Sequence, residues 1–155
     1  MVLYYFDSSA LVKRYISERG TAWVLSITDP GAGNIIFVVR ITAVEVVSAI
    51  TRAGRAGSIT SADAFSAKAN FRHDYLNQYR AMEITTGLIT RAMALAEHYA
   101  LRGYDAVQLA AAVETQAYNL SSVGLPVLTL ISADATLNSA ATAEGLTVED
   151  PNNHP

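Results

Sequence analysis

Cysteine is absent from this 155-residue chain. Its absence excludes a disulfide framework and any thiolate metal site, and it fits a reducing compartment. Histidine is scarce, with three residues, and none has the spacing that places two imidazoles on one ion. His73 and His98 read as helix-surface residues and His154 falls near the C-terminus. Long apolar runs are also missing: the N-terminal run ends at Asp7 and no basic region precedes it. A signal peptide or membrane helix is therefore not expected, no membrane partner is expected, and the cytoplasm is the default location. The chain has no glycine-rich phosphate loop, internal repeat, low-complexity segment or linker. What is present is a globular composition, 51% hydrophobic, in a length suited to one domain with its own core. That domain is expected over 1–150, with 151–155 a short, frayed C-terminal tail.

The formal charge of −3 excludes a generic basic nucleic-acid binder. It does not exclude a metal-dependent one. Setting four carboxylates aside in a single site moves the remainder from −3 to +1, and divalent cations would offset most of the charge in the cleft.

The element pattern alternates. Val2–Phe6 is a short apolar run that reads as a strand buried on both faces. Ser8 or Ser9 serves as N-cap for a helix to about Ile16. Thr21–Thr28 reads as a second helix and the β-branched run Ile35–Val39 as the second strand. A helix from Thr42 to about Ala53 follows, with Gly54 and Gly57 marking its end. Ser58–Arg80 is a longer helical stretch with Ala62, Phe65, Ala69, Leu76 and Tyr79 in helical period. Met82–Thr85 reads as the third strand. Gly87–Leu101 is amphipathic and ended by Gly103, and Asp105–Tyr118 is apolar nearly all round, as in a deeply packed helix. Pro126–Ile131, a short helix Ala135–Ala143 and a strand Leu146–Glu149 complete the domain. Strands alternating with helices call for a parallel sheet covered on both faces. The simplest order is 3-2-1-4-5, which brings Asp7 and Asp134 to one crevice at the carboxyl edge, where open α/β sheets bind ligands.

Four acids stand at element junctions, and each has a plain capping explanation. Asp7 can cap the first helix, Thr42-x-x-Glu45 and Asp105-x-x-Gln108 have capping-box spacing, and Asp134 can cap the helix after the fourth strand. The functional case is joint, because capping does not require a carboxylate at all four places. Four acids in one crevice could not all stay ionised without a cation. Oxygen ligation without Cys or a well-placed His selects a hard ion, Mg²⁺ or Mn²⁺. One ion, or a pair about 4 Å apart, suits in-line displacement at phosphorus.

The motifs together resemble a family. Phe6-Asp7-Ser8-Ser9-Ala10-Leu11-Val12-Lys13 is similar to the first motif of PIN-domain ribonucleases, especially VapC toxins of toxin–antitoxin pairs. Glu45 in Ile41-Thr42-Ala43-Val44-Glu45-Val46 matches their second acid, Tyr104–Ala112 their third motif and Ser132–Asn138 their fourth. The resemblance covers almost the whole chain with motif order intact. It implies a PIN-like α/β/α sandwich with a central parallel sheet of about five strands. It also implies a Mg²⁺- or Mn²⁺-dependent endoribonuclease acting on RNA, a homodimer, and a cognate VapB-type antitoxin. Asp7, Glu45, Asp105 and Asp134 carry over as catalytic, metal-site acids. Ser8, Ser9, Ser132 and Asn138 are candidates for supporting or substrate contacts, and Arg52 and Arg55 for the RNA path, with Lys13 and Arg14 the next choice. The patch Phe71-Arg72-His73-Asp74-Tyr75 with Tyr79-Arg80 reads as an interface or a plain amphipathic face. Two other readings stay open: a phosphohydrolase of small phosphate esters, and a binding module whose acids are only caps.

Overall fold

The structure is a computed structural model that describes residues 1–122 and 125–154; Pro155, the last residue of the expected tail, lies outside the described residues. In chain order the elements are β1 (Leu3–Phe6), α1 (Ser8–Leu11), α2 (Thr21–Thr28), β2 (Ile35–Val39), α3 (Ile41–Ala56), α4 (Ser61–Asn77), β3 (Arg80–Met82), α5 (Thr86–Tyr99), α6 (Gly103–Leu120), β4 (Leu128–Ile131), α7 (Ala135–Ala143) and β5 (Thr147–Glu149). The five strands form one parallel sheet in the order β3-β2-β1-β4-β5, as the alternation of elements predicts. Among the described residues no helix is long and apolar enough to cross a membrane.

Side chains alternate across a strand, so a sheet covered on both faces needs apolar residues at every position. Leu3 and Tyr5 of β1 join Leu128 and Leu130 of β4 in a core with Leu88, Leu109 and Leu137 from α5, α6 and α7. Phe6, Ile36, Val38 and Ile131 enter the opposite core with Leu11, Val24, Val46 and Phe71 from α1 to α4. The strands are thus sandwiched between two helical layers, and β1 lies at the centre of the sheet between β2 and β4.

Several boundaries differ from the sequence expectation for identifiable reasons. The first helix is one α-turn, Ser8–Leu11, continued by a 3₁₀ turn over Val12–Arg14. The helix α3 runs past Gly54 to Gly57, whose φ of 77° ends it. Gly54 instead lies in a close approach of α3 to α4: a Cβ there would meet the Ala64 Cβ at 2.9 Å. The buried stripe of α4 is Ala64, Ala67 and Phe71, whereas Phe65 and Leu76 are 75% and 79% exposed. Small residues win the inward face because α3 packs so near, which overturns the stripe expected from Phe65 and Leu76. The strand β3 ends at Met82 because Thr85 caps α5, its hydroxyl accepting from the Leu88 N–H at 3.0 Å. Ala100, with a φ of 53°, closes α5, and Gly103 opens α6 rather than ending its predecessor.

The expected frayed tail is packed. Asp150 accepts from the Asn152 N–H at 2.8 Å and starts a 3₁₀ turn over Pro151–Asn153 in which Pro151 is buried. The His154 ring stacks on Trp23 of α2 with centroids 4.1 Å apart, and its Nε2 lies 3.0 Å from the Glu149 carboxylate. Gly20, at the start of α2, has a φ of +86°, and a Cβ on it would stand 2.4 Å from the Pro151 carbonyl oxygen. The prediction is that Gly20→Ala lowers stability by roughly 2 kcal/mol or more, through left-handed strain plus overlap with backbone. In a chain ending at Asp150 the same substitution should cost only the conformational part, about 1 kcal/mol. Urea denaturation of the four proteins checks this, and equal losses in both lengths would contradict the docked tail.

Candidate active site

The sheet delivers Asp7 to its carboxyl edge. Asp7, rather than Ser8 or Ser9, is the N-cap of α1: its Oδ1 accepts from the Ala10 N–H at 3.1 Å. The Ser9 hydroxyl donates to the same carboxylate, 2.8 and 3.0 Å from its two oxygens, and accepts from the Ala133 N–H at 3.0 Å. One serine therefore ties the start of α1 to the loop after β4. Asp7 is only 3% exposed. Burial pushes its carboxyl up to about 7; the Ser9, Ala10 and Ser132 hydrogen bonds oppose the rise, and the charge of Glu45 adds to it.

Glu45 reaches the same edge from α3. Its Oε2 accepts from the Ser8 hydroxyl at 3.0 Å and its Oε1 from Gln108 Nε2 at 2.8 Å. The buried Gln108 also donates to Thr42 Oγ1 at 2.9 Å and accepts from the Tyr5 hydroxyl at 2.8 Å. A polar chain thus runs from β1 through α6 to α3 and fixes one carboxylate. The capping box expected at Thr42-x-x-Glu45 does not form, because α3 starts at Ile41 after Arg40 and Thr42 faces Gln108. Gln108 and Tyr5 are the positioning residues the sequence reading passed over. The one signal in the sequence was a glutamine amid the apolar run Ala106–Ala112 of α6.

Asp105 is the third residue of α6, and its N-cap is Arg102, so the expected capping box with Gln108 fails here too. Its carboxyl is raised above the usual range, first by partial burial and then by the charges of Asp134 and Glu45, with Arg102 opposing. Asp134 caps α7, accepting from the Leu137 N–H at 2.8 Å, while its own N–H donates to Ser132 Oγ at 3.1 Å. Asn138 Nδ2 donates to the Ser132 carbonyl at 2.9 Å, and Asn138 Oδ1 is buried without a partner among the described residues. Asn138 and Ser132 hence shape the turn that presents Asp134. The capping explanation holds for Asp7 and Asp134 and fails for Glu45 and Asp105.

The expected basic residues separate. Arg52 lines a cavity with Ser8, Ser9 and Glu45, its Nη1 donating to Ser48 Oγ at 2.8 Å. Arg55 sits in the last turn of α3, exposed and outside that cavity. Lys13 and Arg14 are structural: Lys13 is buried, donating to the Arg19 carbonyl and pairing with Glu18. Arg14 is held by Asp74, Gln78, Tyr79 and the Thr28 carbonyl. Phe71 and Tyr79 of the aromatic–basic patch are buried, whereas Arg72, His73 and Arg80 are exposed, as on an amphipathic face.

The donor set fits a hard cation in its chemistry: carboxylates and hydroxyls only, with Asp7, Glu45, Asp105 and Asp134 linked through mutual repulsion. Among the described residues no three His, Cys, Asp or Glu side chains stand close enough together to hold a metal ion between them. Mg²⁺ does not require three, since it keeps several waters and takes one or two carboxylates.

A parallel sheet in this order between two helical layers, with acids at its carboxyl edge, defines a PIN-like domain. No family model matches the chain. Ribonuclease VapC45 and Ribonuclease VapC49, from two strains of Mycobacterium tuberculosis, are each 32% identical to it over 148 residues, 96% of this chain and 95% of theirs. A toxin–antitoxin complex from Klebsiella pneumoniae contains a chain of the same fold, with a TM-score of 0.62 at 20% identity over 97% of this chain and 98% of that one. By the extent and identity of the first two matches, the chain belongs to the VapC ribonuclease family.

The raised Asp7 carboxyl sets a pH dependence. The folded state keeps a proton, up to about pH 7, that the unfolded chain releases near the ordinary value of 3.8. Stability from this group is therefore full below pH 3.8 and is lost as pH rises through about 7. In chelator, unfolding free energy should fall by roughly 2 kcal/mol between about pH 5.5 and 8.5. Asp7→Asn keeps the Oδ1 acceptor and should largely flatten that fall. Urea titrations at the two pH values check this, and a wild-type stability that rises with pH would contradict it.

Proposed function

We propose that the chain is a metal-dependent endoribonuclease, the toxin of a VapBC-type pair, with Asp7, Glu45, Asp105 and Asp134 as its metal-site acids. The observation that carries the reading is Asp7: a carboxylate 3% exposed at the end of the central strand, facing the charge of Glu45, with hydrogen bonds that only partly offset its burial. Membership of a family whose curated relatives are ribonucleases supports the substrate class.

The acids would hold Mg²⁺ or Mn²⁺. When bound, such an ion supplies activation of water and neutralisation of charge at a phosphodiester. The chain's own part is orientation. Ser9 and the Ala10 N–H aim the Asp7 carboxylate, and Ser8 with Gln108 aims Glu45, so both are fixed before substrate arrives. Arg52 at the rim counters the repulsion between these acids and an incoming phosphate. Water attacks phosphorus in line and the 3′ oxygen leaves.

A VapB-type antitoxin fits the apolar groove of about 410 Å³ between α3 and α4, lined by Ala43, Val44, Val47, Phe71 and Tyr75 with Arg72 at its edge. Such a groove takes the apolar face of a partner helix. Homodimerisation belongs to the same reading, and the surface best suited to it joins Ile89 and Met93 of α5 to Val107 of α6. Reading the protein as a cytoplasmic toxin follows from the same proposal.

Cation linkage and RNA cleavage test the reading together. Mn²⁺ at millimolar concentration should raise the melting temperature, because the ion binds only the assembled site, and Asp7→Asn should largely abolish that rise. Asp105→Asn removes no cap and relieves repulsion, so it should leave stability near wild type. Its RNA cleavage should nevertheless fall by about a hundredfold or more. Melting indifferent to Mn²⁺, or cleavage near wild-type rate in Asp105→Asn, would overturn the assignment of the site. Turnover of a small phosphate ester without RNA cleavage would overturn the substrate class instead.

A further inference from the structure

Beside the acids lies a cavity of about 390 Å³ that the metal chemistry does not use. Its lining mixes apolar Val12, Ile41, Val44 and Ala49 with Ser8, Ser9, Glu45 and Ser48, and the exposed Arg52 and Tyr104 stand at its rim. The volume falls within the roughly 300–1,000 Å³ of small-ligand pockets. Tyr104 immediately precedes Asp105 in the first turn of α6, and it is 61% exposed. An aromatic ring so exposed next to an acid of the site is open to a stacking partner from solution. Opposite it on α3, the Arg52 guanidinium is anchored through Nη1 on Ser48, which leaves its other donors for a ligand. Among the rim residues Arg52 is the one cation, and it stands two helical turns from Glu45.

We propose that this cavity is a nucleobase subsite: it takes the base of the nucleotide adjoining the cleaved phosphodiester, stacked on Tyr104, with Arg52 donating to an acceptor on the base edge. Three features converge on a base rather than a phosphate. Apolar side chains in the lining suit a π-face, an exposed aromatic at the rim gives a stacking partner, and the Glu45 carboxylate in the lining would repel a second phosphate. An Arg fork prefers a base edge with adjacent acceptors, which guanine carries as O6 and N7. The pocket therefore selects the nucleotide next to the cut and favours guanine there. This inference rests on the ribonuclease reading, since it assigns part of the same crevice to the substrate of that reaction.

The test is cleavage of a random-sequence single-stranded RNA pool by the full chain with Mn²⁺, with cut positions mapped to the nucleotide. Wild type should show a base preference, richest in guanine, at one position adjoining the cut. Tyr104→Ala should flatten that preference and lower kcat/KM by about tenfold, the size of one lost stacking contact. Tyr104→Phe should keep both, because stacking needs the ring and not the hydroxyl. Arg52→Ala should lose the guanine preference. The Mn²⁺ melting shift should survive in all three variants, which separates loss of the subsite from loss of the metal site or of the fold. Wild-type cutting with no preference next to the cleaved bond, or Tyr104→Ala with unchanged preference and rate, would overturn the subsite and leave the ribonuclease reading standing. A preference lost in Tyr104→Phe as well would overturn stacking as its basis. A wild type that cuts no RNA would overturn the ribonuclease reading itself.

Discussion

Ionising Asp7 inside the protein costs more than ionising it in water, and the crevice is arranged around that cost. The residue ends the central strand, so both helical layers and both neighbouring strands shield it from solvent. The backbone N–H of Ala10 and the Ser9 hydroxyl offset part of the penalty. The same contacts begin α1 and tie it to the loop after β4 through the Ala133 N–H. The cap of a helix, the closure of the sheet edge and the poise of the carboxylate are thus one set of hydrogen bonds. Glu45 nearby adds repulsion instead of relief. On the proposed reading, a small cation with oxygen affinity would resolve this frustration, and a phosphodiester is the substrate that such chemistry suits.

Positioning of Glu45 reaches much deeper than the crevice. Tyr5 is fully buried in the middle of the central strand, and its hydroxyl orients Gln108, which in turn divides its amide N–H groups between Thr42 and Glu45. A buried polar chain is costly unless every member is satisfied, and here its members pair with one another across β1, α3 and α6. Site geometry is in this way inherited from core packing. The division of labour among the acids follows: Asp7 and Asp134 each give one oxygen to a helix N-terminus, and the second Asp7 oxygen accepts from the Ser9 hydroxyl. Glu45 and Asp105 have no capping duty and owe their place to the crevice.

The topology was legible because β1 and β2 are short, apolar and separated by segments of helical period. Parallel pairing with this order leaves few alternatives. The same order places Asp7 and Asp134 after neighbouring strands at one edge of the sheet. The local roles of the acids were not legible, since spacing such as Thr42-x-x-Glu45 is the same whether Thr42 caps a helix or, as here, is its second residue and faces Gln108. The outward turn of Phe65 and Leu76 was also hidden, because helical period alone does not say which face a neighbour claims. The close approach of α3 at Gly54 decides that for small residues. The docked C-terminal turn escaped notice for a related reason: a Pro-Asn-Asn-His segment looks like a tail until Gly20 and Trp23, distant in sequence, provide its seat.

The most direct measurement of the account's central claim is the titration of the Asp7 carboxyl carbon by NMR, with and without Mg²⁺, which is diamagnetic and leaves the signal visible. Without metal, the carboxyl should titrate near 7, held up by burial. With saturating Mg²⁺ it should remain ionised to well below about pH 5, since a bound divalent charge favours the carboxylate. A metal-free value near the ordinary 3.8, or a titration that Mg²⁺ leaves unmoved, would contradict a buried carboxylate poised for a cation.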